Sequence, residues 1–147
     1  MTSIPSISLR NGKKMPILGL GTSKSNHDDL IKAIKFAIDQ GYRLIDCAWR
    51  YGNLEAVGEA IRAKIEDGTV KREELFVTTK LWKSFMRKEH IEECLDLSLK
   101  KLGLEYIDLF LIHFPQASLY SGKFSYLTTF FIDFVKILVT LKNVIKR

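Results

Sequence analysis

Cysteine is scarce in this chain: only Cys47 and Cys94 occur among the 147 residues, far apart, with no Cys-x-x-Cys pair and no histidine at ligand spacing. That excludes a disulfide scaffold and a cysteine-built metal centre, and it predicts free thiols in a reducing compartment. Long hydrophobic runs are missing too. The longest apolar stretch, Tyr126 to Leu141, is interrupted by Asp133 and Lys136 and is too short and polar to span a bilayer. Met1 to Leu20 shows no continuous apolar core and no cleavage-site pattern, so no secretory signal is expected and the predicted location is cytoplasmic. Basic residues interleaved with aromatics are also absent, which argues against nucleic acid as a partner. The Gly19-Leu20-Gly21 run is not a dinucleotide fingerprint, because Lys24 takes the third glycine position.

What is present is a nearly balanced body with a basic tail. The net charge is +6, but Lys123, Lys136, Lys142, Lys146 and Arg147 oppose only Asp133 beyond Gln116. The length suits one domain with a real core and falls short of the roughly 250 residues of a typical (β/α)₈ barrel.

Patterning predicts alternating elements. Ser6 to Leu9 and Lys14 to Ile17 flank Arg10-Asn11-Gly12-Lys13, and Asn-Gly predicts a type I′ hairpin turn, whose two central residues have positive φ. A strand is predicted over Ile17 to Gly21. A helix follows, capped by Ser25 or Asn26, with Leu30, Ile31, Ile34, Ala37 and Ile38 on one face and Gly41 at its end. Further strands are predicted over Arg43 to Ala48, Leu75 to Trp82 and Ile107 to Ile112, with helices over Leu54 to Glu66 and Lys88 to Leu102 between them. Strand centres near Leu44, Val77 and Leu109 recur about every 32 residues. Such alternation means βαβ units and a parallel sheet, either open or part of a barrel.

Asp46, Lys80 and His113 each fall at the C-terminal end of a predicted strand, and Tyr51 follows the second strand. Active sites of α/β enzymes gather at that end. Singly, a snorkelling Lys80, a hydrogen-bonded His113, a capping Asp46 and a half-buried Tyr51 are the commoner readings. Together they are chemically coherent. A phenol is a weak acid at its usual pKa of about 10; a neighbouring ammonium favours the phenolate, and a carboxylate holds the ammonium in place.

Several long motifs point the same way. Asn11-Gly12 with Met15 to Thr22, Gly41 to Ala48 with Tyr51-Gly52-Asn53, Arg72 to Trp82, and Tyr106 to Leu109 with Leu111 to Pro115 resemble aldo-keto reductases over about Ile7 to Pro115. The resemblance implies an α/β fold, a partial (β/α)₈ barrel of about four βα units with an N-terminal β-hairpin at its base. It implies NADPH as cofactor and reduction of a small-molecule aldehyde or ketone to an alcohol. Carried over by position, Tyr51 would donate the proton, Lys80 would make its phenol a better acid, Asp46 would pair with Lys80, and His113 would orient the carbonyl. Gly21, Thr22, Lys24 and Asp46 would lie along the cofactor, and Trp49, Trp82, His113 and Phe114 along the substrate; no metal is implied. Three positions depart from the family pattern: Ser23 replaces a frequent pocket aromatic, Phe114 replaces a frequent Trp, and Leu54 stands where Glu or Gln is usual, with Glu55 one place off.

Residues 1 to 116 read as the N-terminal half of such a barrel, and 117 to 147 as a divergent tail. In that tail Leu127, Phe130, Phe131, Phe134, Val135, Leu138, Val139 and Leu141 follow helical spacing, predicting a C-terminal amphipathic helix from about residue 125. The resemblance places much of the cofactor grip in a second half that has no counterpart here, so the chain is expected to be truncated. Two functions follow. One is an NADPH-dependent reductase. The other is a catalytically incompetent fragment, from altered splicing or a faulty gene model, that binds a partner or associates with itself through open sheet edges.

Overall fold

The computed structural model describes residues 4–118 and the two-residue strand at 129–130. The chain opens with an antiparallel hairpin, β1 (Ser6–Ser8) and β2 (Lys14–Pro16), in register Ser6↔Pro16, Ile7↔Met15, Ser8↔Lys14. The turn is not type I′. Gly12 has φ 82° while Asn11 does not adopt positive φ. The Gly12 amide donates to the Leu9 carbonyl (2.9 Å) and the Leu9 amide to the Lys13 carbonyl (2.8 Å). This is a loop of Arg10, Asn11 and Gly12 in which a type I turn leads into a glycine bulge. Only one residue then needs left-handed geometry. The Asn11 side chain instead accepts from the Lys13 amide at 3.1 Å.

Three βα units and a closing strand follow. β3 (Gly19–Gly21) leads to α1 (His27–Asp39), β4 (Leu44–Asp46) to α2 (Leu54–Glu66), and β5 (Phe76–Leu81) to α3 (Lys88–Leu102), before β6 (Leu109–Ile112). The strands form one parallel sheet in the order β3-β4-β5-β6. The predicted helix bounds of α2 and α3 match the observed ones. The strands are shorter than predicted, because apolar residues lie beyond the hydrogen-bonded ladder: before it at Ile17, Leu75 and Ile107, and after it at Cys47, Ala48 and Trp82.

Each helix has a local cause. The Asn26 side chain accepts from the Asp29 amide (3.0 Å), capping α1, and Asp28 and Asp29 sit in its positive first turn. Leu30, Ile34, Ala37 and Ile38 form its buried stripe. Gly103 closes α3 in left-handed geometry.

Alternation along the strands sorts the two faces of the sheet. Ile45 and Val77 pair in register and are fully buried in a core shared with α1 and α2; Leu81 and Phe110 are buried with α3 residues Ile91 and Cys94. Burying one such side chain contributes about 1.5–3 kcal/mol. The opposite face carries Gly21, Asp46, Thr78 and Leu109 in one row, with Lys80 and Leu111 in the next. Leu111 on that face is 39% exposed. The helices therefore pack on one side, and the polar strand-end residues occupy the other.

At the base, the Arg72 guanidinium donates to Asp108 (2.9 Å) and to the carbonyls of Tyr106 and Leu75, and it lies over the Tyr106 ring; Asp108 also accepts from the Val77 amide. This clamp ties the starts of β5 and β6 together. It fixes the register that sets Lys80 beside Leu111.

Two free thiols, Cys47 and Cys94, are buried. Burial pushes Cys47 up to about 12 and Cys94 up to about 11. Neither is poised as a nucleophile.

Gly58 on α2 faces the end of α3, where an added Cβ would lie 1.9 Å from the Leu102 carbonyl oxygen. Backbone, not a flexible side chain, fills that space. Gly58→Ala is expected to destabilise the chain by about 1–3 kcal/mol or more, read as a lower urea midpoint at unchanged slope.

After β6, β7 (Ala117–Ser118) pairs antiparallel with β8 (Thr129–Phe130). The helix predicted from about residue 125 therefore does not include Thr129 and Phe130. A β-branched and an aromatic residue suit a strand, and the pairing to β7 overrides helical spacing. The rest of the predicted tail helix lies outside the described residues.

Candidate active site

The C-terminal ends of the strands gather the polar residues. Lys80 stands at the end of β5, one pleat above Thr78 on the same face, so its side chain rises past the β4 terminus. There Nζ donates to both carboxylate oxygens of Asp46, at 2.8 and 2.9 Å, and to the Cys47 carbonyl at 3.1 Å. It also donates to the Tyr51 hydroxyl oxygen at 3.2 Å. The Lys80 side chain is only 13% exposed. Burial works against its charge, but the hydrogen bonds to Asp46 and Tyr51 outweigh that and raise its pKa above the usual 10.5. It is a fixed ammonium.

Tyr51 ends a single 3-10 turn, Trp49–Tyr51, directly after β4. Because its oxygen accepts from Lys80, its O–H remains available to donate elsewhere. The carboxylate of Asp46 is held in turn: Thr78 donates its hydroxyl to Oδ1 at 2.6 Å. Thr22, fully buried, donates both its amide and its hydroxyl to the Asp46 carbonyl, each at 3.1 Å. Asn53 ties the loop before α2 to the end of β3, donating to the Thr22 carbonyl at 2.7 Å.

His113 follows β6, its amide bonded to the Leu81 carbonyl. Its ring stacks on Phe114 (4.8 Å, 5°) and meets Tyr51 edge-on at 5.5 Å and Trp82 at 5.6 Å. Burial lowers its pKa below 6.5, with the charges of Lys80 and Arg50 acting in the same direction and Asp46 opposing. The imidazole is therefore neutral at pH 7. Between the folded-state value and 6.5 the unfolded chain binds more protons than the folded one. Its contribution to stability is then complete above about pH 6.5 and is lost as pH falls through the folded value. A proton NMR titration, with His113 identified by its loss in His113→Gln, should give a midpoint below 6.5; a midpoint above 6.5 would refute this environment.

Tyr51 and His113, with Trp82 and Phe114, form the aromatic and proton-bearing wall of a cleft of about 520 Å³. Ser23, Lys24 and Gln116 border it, as do Arg50 and Lys83. Lys24 has φ 62°, the only non-glycine among the described residues in left-handed geometry. Gly21 opens beside it, with nothing within 4 Å of where a Cβ would be. Of the residues predicted for the substrate side, Trp82, His113 and Phe114 lie on the cleft. Trp49 does not. Its ring is edge-on to Phe85 at 5.7 Å and under Lys101 at 5.6 Å, packed against the core. The 3-10 turn rotates it away from the side Tyr51 takes.

The departures around Leu54 resolve structurally. Leu54 is buried in the core, and Glu55 pairs with Lys101 of α3. Thr78 and Asn53 lie within the Arg72 to Trp82 and Tyr51-Gly52-Asn53 motifs, but the sequence assigned neither a role. Thr78 shares a face with Lys80 and was within reach of the same parity argument; Asn53 had no such signal. No group of His, Cys, Asp and Glu among the described residues could hold a metal ion, and no described helix is long and apolar enough to cross a membrane.

A parallel α/β barrel segment with a Tyr–Lys–Asp cluster and a histidine at its strand ends has the architecture of an enzyme. Residues 17–145 match the aldo/keto reductase family, and the chain belongs to it. It is 51% identical over 114 residues to a 3-alpha-hydroxysteroid dehydrogenase of Rattus norvegicus, which covers 76% of this chain and 35% of that protein. Over 115 residues it is 52% identical to aldo-keto reductase family 1 member C15 of the same species, covering 76% of this chain and 36% of the relative. Rho crystallin of Rana temporaria is 46% identical over 125 residues, 83% of this chain and 39% of the relative. Among solved structures, a Bombyx mori aldo-keto reductase in complex with NADP superposes with a TM-score of 0.91 at 38% identity, covering 99% of this chain and 48% of that one. An aldose reductase from Schistosoma japonicum gives 0.90 at 32% identity, covering 97% and 49%. The chain thus spans about a third of these curated relatives and half of the solved barrels, and its fold is a partial (β/α)₈ barrel.

Proposed function

We propose that this chain carries the proton-donating half of an NADPH-dependent carbonyl reductase site that converts aldehydes or ketones to alcohols. The observation that carries the reading is Lys80, whose ammonium bridges both Asp46 oxygens and the Tyr51 hydroxyl. Tyr51 donates its proton to the developing alkoxide. Lys80 stabilises the negative charge left on the phenol oxygen, and Asp46, held by Thr78, keeps Lys80 in place. Neutral His113, beside Tyr51, positions the carbonyl oxygen.

The residues fit the cofactor. Open space beside Gly21, the exposed strand end next to Asp46 and the cation Lys24 at the rim suit a ribose and phosphates. The NADP complex of the Bombyx mori relative supports the same assignment. When bound, NADPH supplies the hydride that reduces the carbonyl carbon. The two buried free thiols fit a reducing compartment such as the cytosol.

The test is a fusion of residues 1–115 to the second half of a related reductase, assayed by NADPH oxidation with a nitrobenzaldehyde. Turnover is expected in the fusion. The 147-residue chain alone is expected to be at least about a hundredfold slower, because misplacing the reacting groups by about 1 Å costs that much. A fusion that folds and binds NADPH but shows no turnover would sink the reading.

A further inference from the structure

Asn53 stands at the N-cap of α2, where an asparagine side chain ordinarily accepts from an amide of the first helical turn. Here the side chain makes no capping hydrogen bond. It turns the other way, and Nδ2 donates to the Thr22 carbonyl at 2.7 Å, across 31 positions of sequence. That partner fixes the orientation of the amide, because Oδ1 facing the carbonyl would set acceptor against acceptor. Oδ1 is buried and has no hydrogen-bond partner among the described residues. An unpaired buried oxygen opposes folding. What Asn53 supplies against that cost is the tie to Thr22.

The tie lies two residues after Tyr51. Gly52 between them has φ 70° and no side chain to hold the loop. On its other flank Tyr51 is held by its amide, which donates to the Ala48 carbonyl at 3.0 Å. Thr22 is a firm anchor: it is fully buried, and its amide and hydroxyl both donate to the Asp46 carbonyl, each at 3.1 Å. Asn53 therefore fastens the loop carrying Tyr51 to the end of β3, and through Thr22 to Asp46 at the end of β4. The contact that depends on this fastening is the one between Lys80 and the Tyr51 hydroxyl. Its 3.2 Å is already at the long end of the hydrogen-bond range. Displacing Tyr51 by about 1 Å breaks it.

We propose that Asn53 is a positioning residue for the proton donor: its amide, instead of capping α2, holds Tyr51 within reach of Lys80 and beside His113. This rests on the catalytic reading above and adds to it a residue that does not line the cleft.

Asn53→Ser separates positioning from capping, because serine caps a helix as well as asparagine does but is too short to reach Thr22. In the intact 147-residue chain, the NMR cross-relaxation between the Tyr51 and His113 rings, which meet edge-on at 5.5 Å, reads where Tyr51 sits. It is expected to weaken or vanish in Asn53→Ser, while the methyl signals of the core residues Ile45 and Val77 stay in place. In the fused barrel the same substitution is expected to lower kcat by about ten- to a hundredfold and to change KM by less than about threefold. A residue that only stabilised α2 would move neither reading in a folded variant. Should Asn53→Ser fail to fold, Asn53→Gly carries the same comparison, since glycine caps nearly as well and also lacks the amide.

A ring-to-ring signal retained in the folded variant overturns the proposal. So does an unchanged kcat, or a loss confined to KM. The catalytic reading is judged separately, by turnover in the unsubstituted fusion. An inactive fusion beside a Tyr51–His113 contact that still depends on Asn53 would reject the reductase chemistry and leave the placement of Tyr51 by Asn53 standing.

Discussion

Tyr51→Phe in the fused barrel is expected to lower kcat by about a hundred- to ten-thousandfold, the usual worth of a positioned general acid. Phenylalanine keeps the ring that meets His113 edge-on, so the wall of the cleft survives. Only the hydroxyl is lost, and with it the proton for the alkoxide. Substrate affinity should change little by comparison, because the hydroxyl acts mainly as charge develops on the oxygen. Steady-state kinetics with a fixed aldehyde check this through the split between kcat and KM. An unchanged kcat would mean that another group supplies the proton and that the Lys80–Tyr51 contact is structural.

Lys80→Met should be nearly as damaging, by about a hundred- to a thousandfold in kcat. The substitution keeps much of the stem but removes the ammonium that contacts Tyr51 and both oxygens of Asp46. The Asp46 carboxylate then faces Tyr51 unbalanced and opposes loss of its proton. Pairing Lys80→Met with Asp46→Asn removes that opposing charge, so the double variant is expected to lose less than the two single losses combined. Strictly additive losses would show that Asp46 and Lys80 act independently, contrary to the bidentate contact.

Much of the layout was legible before any coordinates. The α2 and α3 boundaries followed from the 3.6-residue spacing of Val57, Ala60 and Ile61 and of Ile91, Leu95 and Leu102, together with Gly103 at the end. Asp46 and Lys80 fell on one face of adjacent strands because side chains alternate with strict period two. Parallel register then brought them together. Where no period exists, reading by residue type failed. Asn11-Gly12 signalled a turn, but whether one or both residues take positive φ depends on how many residues the hairpin must accommodate. Trp49 and Arg50 precede Tyr51 in a single 3-10 turn, too short for a repeating pattern to say which of them faces the cleft.

The sequence by itself determined the alternation of strands and helices, the apolar stripe of each helix, and the placing of a carboxylate, an amine and an imidazole at successive strand ends. Each of these is a local property, written in spacing and in residue chemistry. Tertiary structure alone decided that Lys80 reaches Tyr51 as well as Asp46, that His113 meets Tyr51 edge-on and is pushed toward neutrality, and that Trp49 packs against the core while Arg50 borders the cleft. Those outcomes depend on distances between residues about thirty or more positions apart, or on which way a short turn faces, and only the packed sheet and its helices set either of them.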